Sequence, residues 1–165
     1  MKKINVSIAV VALALVGLTG CSSSGTGTTT APSDTASPSE SSSSAAAGGV
    51  TSLMTADTTL GTIVVDSAGM TVYQYDADTQ NSGVSACTGA CLTTWPPVNA
   101  ETAPALDGVT AEVATITGTD GSTQVTLNGW PLYYFSGDTA PGDTNGQGVQ
   151  GIWWVLAPDG TKITM

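Results

Sequence analysis

The strongest constraint on the fold is a segment that the chain uses twice. Residues 61–79 read GTIVVDSAGMTVYQYDADT, and sixty positions on, residues 121–139 read GSTQVTLNGWPLYYFSGDT. Without a gap, Gly61/Gly121, Val65/Val125, Gly69/Gly129, Tyr73/Tyr133, Asp78/Asp138 and Thr79/Thr139 coincide, while Tyr75 falls on Phe135 and Val72 on Leu132. A string shared at a fixed offset marks two related structural units. They are placed at about residues 57–100 and 117–165.

Within these units, short runs rich in Val, Ile, Thr, Tyr and Trp alternate with turn signals, and nothing reads as a long amphipathic helix. Strands are expected at Thr62–Val65, Thr71–Tyr75, Glu112–Thr117, Thr123–Leu127, Leu132–Phe135, Ile152–Leu156 and Lys162–Met165. Ser67-Ala68-Gly69, Asp120-Gly121, Asn128-Gly129 and Asp159-Gly160 supply the positive φ angles of tight turns. Pro131 has no amide to donate, so its strand should begin there or run along an edge. A short helical turn is placed around Ser85–Leu92. Residues 55–165 are thus expected to form a compact, all-β, mostly antiparallel domain of two hairpin-containing repeats. Each hairpin leads through a long loop to a Trp-bearing segment, Trp95-Pro96-Pro97 in the first and Trp153-Trp154 in the second.

The N-terminal 1–20 reads as an export signal. Met1-Lys2-Lys3 is a positive start, Ile4 to Val16 is mostly apolar, and small residues follow. That stretch is too short for a membrane span. Leu18-Thr19-Gly20-Cys21 resembles the bacterial lipobox. The resemblance implies cleavage before Cys21 and acylation of that cysteine, with the protein held on the outer face of the plasma membrane or on the outer membrane. Each buried methylene contributes about 0.8 kcal/mol, so two or three acyl chains make a lasting anchor. From Cys21 to residue 54 the chain is nearly all Ser, Thr, Ala, Gly and Pro. Such a segment buries too little to offset its ordering entropy and is expected to act as a disordered spacer.

Composition excludes several functions. The chain has 3 Lys+Arg, 13 Asp+Glu and no His, and two of its cations, Lys2 and Lys3, leave with the signal. Lys162 then stands alone among basic side chains. With no cations to displace counterions from phosphates, the domain should not bind nucleic acid, and anionic lipid headgroups should repel it. Without His, no Ser-His-Asp or Cys-His nucleophile can be built. Without Arg, phosphoryl transfer lacks its cationic clamps. No cofactor is predicted.

Cys87 and Cys91 frame Ala86-Cys-Thr-Gly-Ala-Cys-Leu92. Outside the cytoplasm, a close pair is most simply a disulfide. A metal site would need further soft ligands. A catalytic dithiol usually has two intervening residues and a nearby cation.

The repeated string itself has two readings. Alternation puts Tyr73 and Tyr75 on one face of a strand, with Val72, Gln74 and Asp76 on the other, and treats Tyr133 and Phe135 in the same way. On one reading these aromatics, with Trp95 and Trp153, pack the core while Asp78 and Asp138 close turns through backbone amides. On the other, they form a binding surface. The Tyr73-Gln-Tyr75-Asp-Ala-Asp78 and Tyr133-Tyr-Phe135-Ser-Gly-Asp138 strings resemble the Tyr-x4-Asp motif of a bacterial secreted-repeat lipoprotein family. The Cys87–Cys91, Trp95-Pro-Pro97, Gly129-Trp-Pro-Leu-Tyr133 and Gly137–Gly146 strings are similar to that family too. The resemblance covers nearly the whole domain. It implies a lipid-anchored envelope protein and brings no activity with it.

Two minor readings involve the acids. Asp78-Thr79 and Asp138-Thr139 are related by the repeat, as the paired Asp-Thr motifs of aspartic proteases are. Gln80 and Ala140 stand where those enzymes have Gly. Asp138, Asp143, Asn145 and Gln147 lie in a Gly-rich loop that partly resembles a calcium loop, though Trp154 occupies the place of the bidentate Glu. The main expectation is therefore a non-catalytic binding or structural module whose partner is an envelope protein or a glycan. An accessory role in metal, haem or electron-transfer chemistry is the alternative, and a carboxylate-based hydrolase comes third.

Overall fold

The structure of the protein is a computed structural model that describes residues 49–164. The signal at 1–20, Cys21 and the spacer up to residue 48 lie outside the described residues.

Strand β1 (Ser52–Thr58) forms an antiparallel hairpin with β2 (Gly61–Asp66), and β3 (Tyr73–Tyr75) follows. Helix α1 (Ala90–Thr94) and the short β4 (Ala105–Leu106) come next. The second half adds β5 (Val113–Thr117), β6 (Thr123–Leu127), β7 (Trp130–Tyr133) and β8 (Trp153–Val155). These make a three-stranded sheet in the order β2-β1-β4 and a five-stranded sheet in the order β5-β6-β7-β3-β8. All pairings are antiparallel except β1 with β4. The fold is the all-β, mostly antiparallel one expected, built from two related repeats.

Two strands have no clear signal in the sequence. In β1, Ser, Thr, Ala and Asp resemble the preceding spacer, so pattern alone starts the domain at residue 55. Leu53, however, is fully buried in the core and holds β1 against β2 from Leu53↔Asp66 to Thr58↔Gly61. The two-residue β4 is exposed on both residues and carries no apolar alternation to read. Other boundaries differ from expectation. The helical turn falls at Ala90–Thr94, after Gly89 at φ 56°, and not at Ser85–Leu92. Lys162–Met165 is no ladder over its described residues. A single bridge joins Lys162 to Leu156, and the Lys162 side chain turns to Asp76. Pro131 sits second in β7, a central strand. The β3 ladder covers only Leu132 and Tyr133, so the missing amide falls beyond its end.

The five-stranded sheet separates two kinds of core. Val72 and Leu132 join Leu53, Val64, Val125, Leu127 and Leu156 in an aliphatic cluster. Tyr73, Tyr133, Trp153 and Val155 join Ile63, Val65, Cys87 and Trp95 in an aromatic one. The period of two assigns neighbouring residues to opposite faces.

The turns set the true register of the repeats. Asn128 (φ 49°) and Gly129 (φ 77°) make a two-residue loop between Leu127 and Trp130, with positive φ at both positions as a type I′ turn requires. Its counterpart has three residues, Ser67–Gly69, closed by Gly69 at φ 80° and by the N–H groups of Ala68 and Met70 donating to Asp66 Oδ1. The extra residue shifts everything upstream by one. Val64, not Val65, is therefore the counterpart of Val125, and both lie in the aliphatic cluster while Val65 lies in the aromatic one. The main chain agrees: Val64 N–H donates to Leu156 at 2.9 Å, and Val125 N–H donates to Val98 at 2.8 Å.

Candidate functional site

The repeats exchange their parts. Tyr73 of the first repeat pairs with Tyr133 of the second across β3 and β7. Each then reaches past its own aspartate to that of the other repeat. Tyr73 donates its hydroxyl to Asp138 Oδ2 at 2.6 Å, and Tyr133 donates to Asp78 Oδ2 at 2.8 Å. Both tyrosines are completely buried, and Asp78 and Asp138 are 5% and 8% exposed. The second oxygen of each carboxylate closes its own loop: Asp78 Oδ1 accepts the Ala86 N–H at 2.6 Å, and Asp138 Oδ1 accepts the Asn145 N–H at 2.9 Å. Matching turns place the two aspartates, with Asp78 N–H donating to Tyr75 and Asp138 N–H to Phe135.

The aromatic side chains follow the same pseudo-twofold. Trp95 and Trp153, one from each repeat, stack at 3.7 Å and 2°. Trp153 stacks on Tyr75 at 4.1 Å and Trp95 tilts over Phe135 at 4.6 Å, so four rings run in series. Tyr73 meets Trp95 edge-on at 5.5 Å, as Tyr133 meets Trp153 at 5.2 Å. Such contacts add about 0.5–1.5 kcal/mol per pair to the burial of the rings. Trp95 and Trp153 are 4% and 2% exposed, so neither presents a surface to a partner.

The backbone is swapped as well. The first repeat's β3 pairs with β8 of the second, from Tyr73↔Val155 to Tyr75↔Trp153. The second repeat's Tyr133 bridges to Pro97 of the first, and Tyr134 N–H donates to Pro96. Two further cross-repeat bonds have no sequence signal: Tyr134 donates its hydroxyl to Asp66 Oδ2 at 2.7 Å, and Trp154 Nε1 donates to Asp76 Oδ2 at 2.9 Å. Asp76 also pairs with Lys162 at 2.6 Å.

Electrostatics at the motif follow from burial. Desolvation pushes the Asp78 carboxyl above the usual carboxylate range, against the pull of hydrogen bonds from Ala86 and Tyr133. Asp138 moves the same way, for the same first cause, against bonds from Tyr73 and Asn145. Burial, then the neighbouring carboxylate, drives the Tyr73 phenol far above its ordinary range. Burial likewise raises Tyr133.

Cys87 and Cys91 form a disulfide, with Cys87 inside the aromatic cluster. The acidic loop brings Asp138 and Asn145 together, but through the Asn145 main chain. Asp143 Oδ2 accepts the N–H groups of Thr139 and Ala140, each at 2.9 Å. Among the described residues, no three His, Cys, Asp or Glu side chains gather as a metal would require. Asp78 and Asp138 share no hydrogen bond with one another; each faces a phenol.

A family model described as a secreted repeat of unknown function matches residues 54–99 and 114–157, more than half of the chain. The first match spans Tyr73, Asp78 and Trp95, and the second spans Tyr133, Asp138 and Trp153. No curated protein and no solved structure matches the chain.

Proposed function

The chain belongs to the family of secreted repeats of unknown function, and from the exchange of Tyr and Asp between its repeats we propose that it is a non-catalytic binding or structural module of the cell envelope. Acyl chains on Cys21 anchor it to the outer face of the plasma membrane or to the outer membrane. The Tyr-x4-Asp strings serve the fold, and recognition of an envelope protein or glycan takes place elsewhere on the domain.

One observation carries this reading. The motif's phenols and carboxylates are buried and already hydrogen-bonded to each other and to backbone amides. A buried carboxylate with both oxygens accepting bonds has little left to offer a substrate. The paired-carboxylate hydrolase loses its appeal for the same reason, since each aspartate is covered by a tyrosine of the other repeat. Electron transfer keeps one point in its favour, the four-ring series from Tyr75 to Phe135. A protein-bound radical after one-electron oxidation, lost in Trp153→Leu, would support it.

The test of the main reading uses Asp78→Asn and Asp138→Asn in the full chain. Asn puts an NH2 donor where Asp has its second accepting oxygen, opposite a group that already donates, so each change should destabilise by about 1–3 kcal/mol. Recovery of crosslinked envelope material per folded molecule should not change. Loss of recovery at unchanged melting temperature would make the motif the binding site. Cys21→Ala should move the protein from the membrane fraction to the soluble one, and its retention there would sink the anchor.

A further inference from the structure

The face of β3 and β7 away from the aromatic stack ends in an open hollow whose exposed lining is mostly apolar. Gln74 pairs with Leu132 there, so the two side chains share that face. Trp130, two residues before Leu132, lies on it too. A hollow of about 350 Å³ is lined by Gln74, Gln80, Asn128, Trp130, Thr161 and Lys162. It meets a second of about 490 Å³ at Gln80 and Asn128, which line both. Glu112, Asn81 and Thr115 border the second. Together they form an open, shallow groove.

Two residues in it carry polar groups with no side-chain hydrogen bond to protein among the described residues. Gln74 is 4% exposed, yet its amide makes no side-chain hydrogen bond among the described residues. Every fully buried side-chain polar atom there has a partner, so the Gln74 amide keeps its remaining exposure in the hollow. The amide is therefore open to solvent at the hollow, where a ligand hydroxyl can replace water. Trp130 is half-buried but packs into neither core cluster. Its indole N–H donates to no protein group among the described residues. Trp154, the other tryptophan outside the clusters, is occupied by Asp76 and lies under Lys162.

The remaining chemistry narrows the ligand. The hollow joins a mostly apolar exposed surface, beside Trp130, to the carboxamides of Gln74, Gln80 and Asn128, and Lys162, its one cation, is paired with Asp76. A purely apolar ligand would leave those amides unmet, and an anionic one would meet Glu112 and the net negative charge of the chain. Carboxamides both donate and accept, as vicinal hydroxyls demand. An indole offers a flat apolar face with a polar edge. The groove is also preset: Asn128 accepts the Glu112 N–H at 2.9 Å and donates to Asp159 at 2.8 Å, while Gln80 Nε2 donates to Asn128 at 2.7 Å. That holds the lining in place before anything binds.

We propose that this groove binds an uncharged oligosaccharide, with Trp130 stacked on one sugar ring and Gln74 and Gln80 holding hydroxyls. It deepens the reading of the protein as a non-catalytic module and rests on it. The test titrates the purified full chain with four neutral tetrasaccharides: β-1,4-linked glucose, α-1,4-linked glucose, β-1,4-linked mannose and β-1,4-linked N-acetylglucosamine. Tryptophan fluorescence and calorimetry follow binding, and mass spectrometry checks that the sugar is intact. At least one sugar should bind with a dissociation constant on the order of 1 mM or tighter. Trp130→Ala should weaken that binding at least about tenfold. Where Trp130→Ala fails to fold by circular dichroism, Gln74→Met carries the same test, with a smaller loss. Binding by none of the four, or binding unchanged in a folded variant, overturns the groove and leaves the non-catalytic reading standing. A bound sugar that is then cleaved keeps the groove and overturns the non-catalytic reading.

Discussion

The clasp around Asp78 uses side chains and a covalent bond, whereas the clasp around Asp138 uses main chain. At the first, the Ser85 hydroxyl meets the Tyr133 oxygen at 2.6 Å, beside the Cys87–Cys91 disulfide. Because Tyr133 donates its own proton to Asp78, Ser85 is the donor there. At the second, the Gly146 N–H donates to the Tyr73 oxygen at 3.2 Å, and no disulfide is present. Gly146 comes so close that a Cβ would stand 2.8 Å from the Tyr73 ring, which excludes any other residue. The same buried Tyr–Asp pair can thus be closed by a hydroxyl and a staple or by a bare backbone. What the repeats share is a buried carboxylate that accepts from a phenol and from a main-chain N–H; what differs is the donor to the phenol oxygen.

The ring series tests whether the two halves bear equal weight. Trp95→Ala and Trp153→Ala each empty the middle of the stack and should cost about 3–5 kcal/mol in chemical denaturation. A large inequality between them would break the symmetry argued from their matching contacts. The clasps should differ more subtly. Tyr73→Phe strands Asp138 and the Gly146 N–H together. Tyr133→Phe strands Asp78, but Ser85 can turn to the Cys87 carbonyl, already 3.4 Å away. Both should lose about 1–3 kcal/mol, Tyr73→Phe the more, and the reverse order would sink the assignment of donors. Reduction of the disulfide should cost roughly 2 kcal/mol on the chain-entropy account. In hydrogen exchange the loss of protection should appear first at Ala86 and leave Asn145 alone.

The smallest effects concern pH. A carboxyl whose folded pKa is raised binds its proton more tightly when folded, so Asp78 and Asp138 make stability fall as pH rises through the window above the ordinary Asp value. Asp143 is held low by the N–H groups of Thr139 and Ala140, Asp159 by the Thr161 hydroxyl and Asp120 by the Ser122 hydroxyl. Their contribution is lost as pH falls below the ordinary range. The melting temperature should therefore peak in mild acid. It should fall again as pH passes the ordinary Tyr value of 10.0, where Tyr73, Tyr133 and Tyr134 resist ionisation only when folded. A melting temperature that climbs steadily from pH 4 to pH 8 would show that the two buried carboxyls do not titrate as burial dictates.

Local chemistry is legible along the chain. Asn128-Gly129 announces its turn because glycine and asparagine tolerate positive φ, and the strand expected at Thr123–Leu127 is β6, residue for residue. Alternation puts Tyr73 and Tyr75 on one face and Gln74 on the other. The Val65/Val125 match misleads, because the extra residue in the Ser67–Gly69 turn cannot be seen in a gapless comparison. Leu53 is illegible because a lone apolar residue at the edge of a polar stretch carries no period. Trp130 carries no mark of its own, because only packing distinguishes it from its buried relatives.

Turn positions, strand faces and the pairing of Cys87 with Cys91 belong to the sequence itself, since each depends on residues a few positions apart, and the two units show in it as a string repeated at a fixed offset. Which aspartate each tyrosine holds belongs to the tertiary structure. The motif sets Tyr73 beside Asp78 along the chain, yet its partner is Asp138, 65 residues away, and Tyr133 crosses 55 residues back to Asp78. Alternation puts the Tyr73 and Tyr133 rings on the sheet face whose aromatic core both repeats share. There the nearest acceptor belongs to the other repeat, so burial converts a local motif into the contact that joins the two halves.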